Sequence, residues 1–220
     1  KDRTFGDNSQ EVVSLASQYI RGSLDGGILP VLKHFPGHGR VMTDSHTEDC
    51  LSDIDINELL NTDILPFKVL HDKYTEVNLP IMTSHIIYSK VDKYITTYSQ
   101  EWLGKQSNLI FTKKPFFISD DIEMFSATTI NNKHISSEER VLLALKAGCR
   151  MIIVTTMQDN DIINRKSSHE YYRKNYLTNN IIEHYQKNHD KMLEIVMPKR
   201  LDRNKDKYEK YLKNIKLMES

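Results

Sequence analysis

Two cysteines in 220 residues, Cys50 and Cys149, are too few for a disulfide framework and identify no metal site. They fit a reducing compartment or simple burial. No apolar run approaches the roughly 20 residues that a bilayer requires, so no membrane span is expected. A net charge of zero, from thirty Lys plus Arg against thirty Asp plus Glu, gives no electrostatic case for a nucleic-acid partner. Eight glycines, six prolines and 27% charged residues exclude collagen-like and low-complexity classes. At 25.7 kDa and 39% hydrophobic residues, the sequence is long and apolar enough for a sizeable core. It starts at Lys1 with neither a methionine nor a signal-peptide pattern, from which a longer parent protein is expected.

The sequence that is present alternates helix and strand signals. Asn8 with Glu11 three positions on opens a helix that carries Val12, Ala16, Tyr19 and Ile20 and stops at Gly26 and Gly27. An apolar run follows at Ile28 to Phe35, then a helix over residues 53–72 with Ile56, Leu60, Ile64 and Phe67 on one face and a kink expected at Pro66. Leu79 to His85 is the second strand candidate, followed by a weaker helix around Glu101 to Leu109. Pro115 to Asp120 is the third strand, rich in β-prone Phe116, Phe117 and Ile118. Ser136 with Glu139 caps a helix that ends at Gly148, and Met151 to Thr156 is the fourth strand. This order, with no hairpin signal, predicts an α/β fold in which a parallel sheet is covered by helices. Four βα units amount either to a small open sheet or to half of an eight-fold barrel. Residues 1–157 form the first domain and residues 158–220 a polar, helix-rich tail. From Lys199 to Ser220 the tail has eight Lys or Arg against four Asp or Glu, which reads as a solvated helix face.

Chemically capable residues collect at the carboxyl ends of successive strands, where parallel α/β folds bind ligands: Lys33 and His34, then His85, then Asp120 and Asp121. The densest segment is KHFPGHGRVMTDSH, Lys33 to His46. Its Pro36, Gly37 and Gly39 exclude a helix and allow a sharp turn over a ligand. His46, two residues after Asp44, suits an imidazole oriented by a carboxylate for proton transfer near neutral pH. A metal site built on His34, His38, Asp44 and His46 ranks lower, because Pro36 and Gly37 break the helical zinc spacing and no neighbouring Glu stands as a general base. In FFISDDIEM the adjacent Asp120 and Asp121 should face opposite ways. One would act as a nucleophile or a metal ligand, and the other use is a cap for the following helix.

KHFPGHG followed by DSH, with DRTFGD, IMTSHIIYSKVD and SDDIEM in the same order, resembles the β-N-acetylglucosaminidases of glycoside hydrolase family 3, the NagZ type. The likeness runs from Arg3 to about Thr156. It implies a TIM-type (β/α)8 barrel, of which these residues would be about the carboxyl-terminal half, and removal of terminal N-acetylglucosamine from cell-wall muropeptides with retention, in peptidoglycan recycling. It also implies Asp120 as nucleophile, His46 assisted by Asp44 as acid/base, and Arg3, Lys33 and His34 as sugar-binding residues, with no cofactor and no metal. His85 matches a family histidine whose role stays open. Thr47, Glu48, Asp49 and Cys50 replace the Leu-Pro usual after DSH, and Glu123 stands where the family often has a small polar residue.

The family has about four more βα units ahead of the segment matching Arg3. This chain alone is therefore expected to be inactive, with a separate chain or an upstream portion supplying the rest. A sugar- or partner-binding remnant is the alternative reading, and phosphate is the alternative acceptor. The resemblance and the cysteine content together favour the cytoplasm.

Overall fold

A computed structural model describes residues 4–41, 50–155 and 180–181. The first helix, α1 (Ser9–Asp25), opens where the sequence predicts, with the Asn8 side chain accepting the Glu11 N–H at 2.9 Å. It ends at Gly26, and Gly27 takes a φ of 80° that suits a residue without a side chain. Strand β1 (Leu32–Phe35) follows, then β2 (Cys50–Ser52).

The helix expected over 53–72 is instead two, α2 (Ile56–Asn61) and α3 (Ile64–Lys73). Thr62 leaves helical geometry at φ −125° and ψ −87°, and the break precedes Pro66. Pro66 lies in the first turn of α3, where a missing N–H breaks no helical bond.

Strands β3 (Ile81–Thr83) and β4 (Ile86–Tyr88) lead into a 3₁₀ turn at Thr96–Tyr98 and a π-helical stretch at Glu101–Gln106 that runs on into α4 (Ser107–Ile110). Next come β5 (Phe117–Asp121), α5 (Phe125–Thr128), β6 (Thr129–Ile130), β7 (Lys133–His134), α6 (Ser137–Ala147) and β8 (Cys149–Ile153). The Ser136 side chain accepts the Glu139 N–H at 3.2 Å and α6 stops at Gly148, both as the sequence predicts.

Four strands form one parallel sheet in the order β1-β3-β5-β8. Leu32 lies opposite Ile81, Ile81 opposite Phe117, and Phe117 opposite Cys149, so all four strands end toward the same side. This is the parallel α/β arrangement of a barrel-like domain. Two small pairings lie outside the main sheet and were not expected from the sequence. β2 pairs in parallel with β4 beside the main sheet, and β6 and β7 form an antiparallel hairpin. The hairpin corrects the expectation that none is present: Asn131 and Asn132 both take positive φ, 51° and 59°, the two-residue turn that matches strand twist.

The core is centred on Phe35, which has no exposed surface. Its ring lies 5.6 Å from Phe67, 5.9 Å from Trp102, 5.7 Å from Phe111 and 5.8 Å from Phe117, at tilted or edge-on angles. These rings join β1, β5, α3 and the π-helical stretch, and so hold His34, the neighbour of Phe35, in place. No described helix is long and apolar enough to cross a membrane. The polar tail expected at 158–220 lies outside the described residues except for 180–181.

Candidate active site

The sheet delivers one polar group or more from the carboxyl end of each strand. His34 on β1 and Asp120 on β5 meet, Nε2 to Oδ2 at 3.4 Å, and both side chains are about one-fifth exposed or less. The other carboxylate oxygen, Asp120 Oδ1, accepts the backbone N–H of Asp121 at 2.9 Å. The edge of the His38 ring meets His34 with centroids 5.7 Å apart. Lys33, the preceding residue on β1, is exposed.

The two adjacent carboxylates do point apart, because successive side chains on a strand face opposite ways. Asp120 faces His34. Asp121 faces the end of β8, where its carboxylate accepts the Thr155 N–H at 3.0 Å and also the Thr155 hydroxyl. It further accepts the Glu123 N–H at 3.1 Å, a local turn bond; neither carboxylate caps the following helix, whose N-cap is Met124 with no side-chain capping bond. Arg140 on α6, 4% exposed, donates to the Ile122 carbonyl at 2.9 Å and to Ser137 at 2.8 Å, and pairs with Glu123 at 3.1 Å. The segment after Asp120 is thus fixed by groups from β8 and α6.

His85, just beyond β3, is 1% exposed and lies between Thr97 and the Asp121 carbonyl, at 2.8 and 2.9 Å. Burial holds its imidazole below the ordinary histidine value, against the pull of the Asp121 carbonyl and of the Asp120 and Asp121 charges. The Cys149 thiol, 3.9 Å from the Thr97 carbonyl, is pushed up to about 12 by burial, which keeps it neutral and unreactive.

The turn that follows β1 is clamped at its base. Tyr88 on β4 donates its hydroxyl to the Gly37 carbonyl at 2.7 Å. Arg40 pairs with Asp63 at 2.7 Å and Glu58 at 2.9 Å, and donates to Thr62 at 2.9 Å. Gly37 takes a φ of 159°, and a side chain there would meet Asp63 Cβ at 2.8 Å. Only glycine lets this turn pack so closely on the start of α3.

Of the six site residues read from the sequence, the structure brings His34 and Asp120 together and leaves Lys33 exposed on the same strand. Arg3, Asp44 and His46 lie outside the described residues. Among the described residues, no group of three His, Cys, Asp or Glu side chains is placed to hold a metal ion. Tyr88, Thr97, Arg140 and Thr155 were missed. Each acts through a partner distant in sequence, and nothing in local spacing marks that.

Comparison with known proteins now bears on this geometry. Residues 1–187 match the family model described as the glycosyl hydrolase family 3 N-terminal domain. The chain belongs to glycosyl hydrolase family 3. It is 34% identical over 158 residues to a β-hexosaminidase of Methylobacillus flagellatus, a match covering 72% of this chain and 43% of that protein. It is 37% identical over 155 residues to a β-hexosaminidase of Idiomarina loihiensis, covering 70% and 44%. The chain therefore spans less than half the length of these curated relatives. Among solved structures, zinc-bound CbsA of Thermotoga neapolitana aligns with a TM-score of 0.66 at 28% identity, covering 89% of this chain and 43% of that one. The β-N-acetylglucosaminidase of Thermotoga maritima aligns at 0.63 and 25% identity, covering 90% and 42%.

Proposed function

We propose that this chain carries the reacting groups of a retaining β-N-acetylhexosaminidase acting on terminal N-acetylglucosamine of cell-wall muropeptides, and that these 220 residues alone bind sugar or a partner chain without turnover. The observation that carries the reading is the Asp120 carboxylate. One oxygen accepts the Asp121 N–H and the other faces His34, at the ends of β5 and β1. A carboxylate so held at the end of its strand, and still 22% exposed, has the fixed position that attack on an anomeric carbon requires.

In this reading Asp120 attacks the anomeric carbon and forms an ester while the bond to the leaving oxygen breaks, and protonated His46, oriented by Asp44, gives that oxygen its proton. Neutral His46 then takes a proton from water, the resulting hydroxide attacks the same carbon, and Asp120 leaves as carboxylate. Arg3, Lys33 and His34 hold the sugar. Neither a metal nor an organic cofactor takes part. In this reading the protein works in the cytoplasm, in peptidoglycan recycling, which the low cysteine content supports.

The binding-only behaviour of the isolated chain is favoured by two features. Among the described residues β1 pairs in the main sheet with β3 alone and β8 with β5 alone, leaving two open edges, and the matched relatives are more than twice as long as the region they share with this chain. Completing the carboxyl-terminal half of a barrel with the first four βα units, from an upstream portion or a separate chain, would close both edges.

The test compares the 220-residue chain with a fusion to the part of the Methylobacillus flagellatus relative that it does not cover, using an aryl N-acetyl-β-glucosaminide with and without phosphate. The expected result is turnover by the fusion alone, to free sugar in both buffers, with loss on Asp120→Asn or His46→Ala. Turnover unaffected by both substitutions would refute the assignment of roles. Sugar phosphate as product would replace hydrolysis with phosphorolysis.

A further inference from the structure

We propose that His85 is a positioning residue for Asp120, a neutral imidazole with its proton on Nε2 that fixes the Asp121 carbonyl and thereby the N–H that holds the Asp120 carboxylate. The inference rests on the reading of Asp120 as nucleophile. It concerns how that group is aimed.

The proton accounting starts from atoms that only accept. His85 Nε2 is 2.9 Å from the Asp121 carbonyl oxygen, so Nε2 carries a proton. Nδ1 is 2.8 Å from Thr97 Oγ1, which lies 3.1 Å from the Ser84 carbonyl and 2.7 Å from Thr83 Oγ1. Thr97 has one hydroxyl proton to give. If it goes to Nδ1, Thr83 donates to Thr97, Thr97 to His85 and His85 to Asp121, and the run of bonds closes with a neutral ring. If it goes to Ser84 instead, Nδ1 needs its own proton and a cationic imidazole sits fully buried. Thr83, Ser84 and Thr97 are all 0% exposed, so bulk solvent does not reach that charge, and burial outweighs the Asp120 and Asp121 charges that favour it. The first arrangement is the one the site supports.

What this run of bonds fixes is residue 121. Its carbonyl is taken by His85 and its carboxylate by Thr155, and the next carbonyl, on Ile122, by Arg140. With its carbonyl and its carboxylate both held, the backbone torsions of residue 121 are restrained, and in this conformation its N–H meets Asp120 Oδ1. A histidine that merely filled space would not depend on which nitrogen bears the proton.

The experiment is nitrogen–proton correlation NMR of the imidazole rings in the full 220-residue chain, with amide exchange at Asp121. The expected result is a His85 ring protonated at Nε2 and bare at Nδ1 across about pH 6 to 8. A doubly protonated ring, or a proton on Nδ1 alone, overturns the proposal. His85→Gln, which can still reach the Asp121 carbonyl with an amide N–H, should leave Asp121 exchange within about threefold of the parent, whereas His85→Leu should speed it about tenfold with α1 amides unchanged. Equal exchange in the two variants also overturns the proposal. If His85→Leu fails to fold, the ring measurement on the parent still decides. None of these readouts needs turnover, so a failed nucleophile assignment is seen separately, in Asp120→Asn.

Discussion

His34 and Asp120 come from strands that are not neighbours, with β3 between them, yet His34 Nε2 lies 3.4 Å from Asp120 Oδ2. Convergence of this kind needs strands that tilt and twist so that their ends approach, as they do in a closing barrel sheet. In the function proposed above, this imidazole both orients the carboxylate and bonds a sugar hydroxyl. In the fused form described above, Asp120→Asn should lower kcat by about 10⁴-fold or more, the scale seen when a nucleophile is removed. His34→Ala should cost about 10²-fold in kcat/KM, as for one lost positioned donor. Steady-state kinetics on the aryl substrate checks both, and a His34→Ala variant within threefold of the parent would count against its role.

The turn at Gly37 provides a stability test. Adding a methyl there puts Cβ 2.8 Å from Asp63 Cβ, with φ at 159°, so the turn or α3 must move. Gly37→Ala should destabilise the chain by about 1–3 kcal/mol, the usual cost of overpacking. Gly39→Ala meets nothing within 4 Å among the described residues and should be close to neutral. Urea unfolding midpoints of the two variants check the contrast, and equal midpoints would show that the close approach is not a constraint.

Much of this architecture was readable because its signals are local. Asn8, Ser136 and Gly148 bound helices through caps that a few neighbouring residues define. The four main strands are short apolar runs between turn residues, and their order fixes a parallel sheet. At the site, His34 and Asp120 were legible as polar groups at the ends of apolar runs. Thr155 and Arg140 were not, because the bonds they make to the Asp121 carboxylate and the Ile122 carbonyl exist only once β8 and α6 dock on β5. The split between α2 and α3 is hidden for the opposite reason: the helical periodicity runs across both, and the backbone turns at Thr62, ahead of the Pro66 that signals a break in the sequence. The Asn131–Asn132 hairpin was legible in principle, since Asn tolerates positive φ, but its two-residue strands are too short to show alternation.

Phe35 couples the core to the site. It packs among Phe67, Trp102, Phe111 and Phe117 and is adjacent in sequence to His34. Phe35→Ala should cost about 3–5 kcal/mol, the range for emptying a buried aromatic position. Thermal unfolding measures it. A loss under about 1 kcal/mol would mean that the surrounding rings collapse into the space and that the cluster is not what holds β1.

Two buried histidines set how stability responds to acid. His71, 0% exposed, meets the Asn78 side chain at 3.1 Å, and burial holds it below its ordinary value of 6.5. His85 is lowered for the same reason. In the unfolded chain both take up a proton near 6.5, while in the folded chain both resist it until lower pH. The unfolded state therefore binds more protons in that interval and acid favours it. The stability these neutral rings contribute is complete above about pH 6.5 and falls as pH drops toward the folded values, by about 1.4 kcal/mol per pH unit for each histidine within the interval. Asp72 and Glu101, whose carboxyls are held below ordinary values of 3.8 and 4.5 by hydrogen bonds and neighbouring lysines, act only at lower pH. Urea midpoints at about pH 7.5, 6.5 and 5.5 therefore isolate the histidines. The expected outcome is a midpoint that declines toward pH 5.5, with the decline reduced in His71→Gln. A midpoint flat across the range would mean that one or both rings are protonated in the folded chain, and for His85 that would also contradict a bare Nδ1.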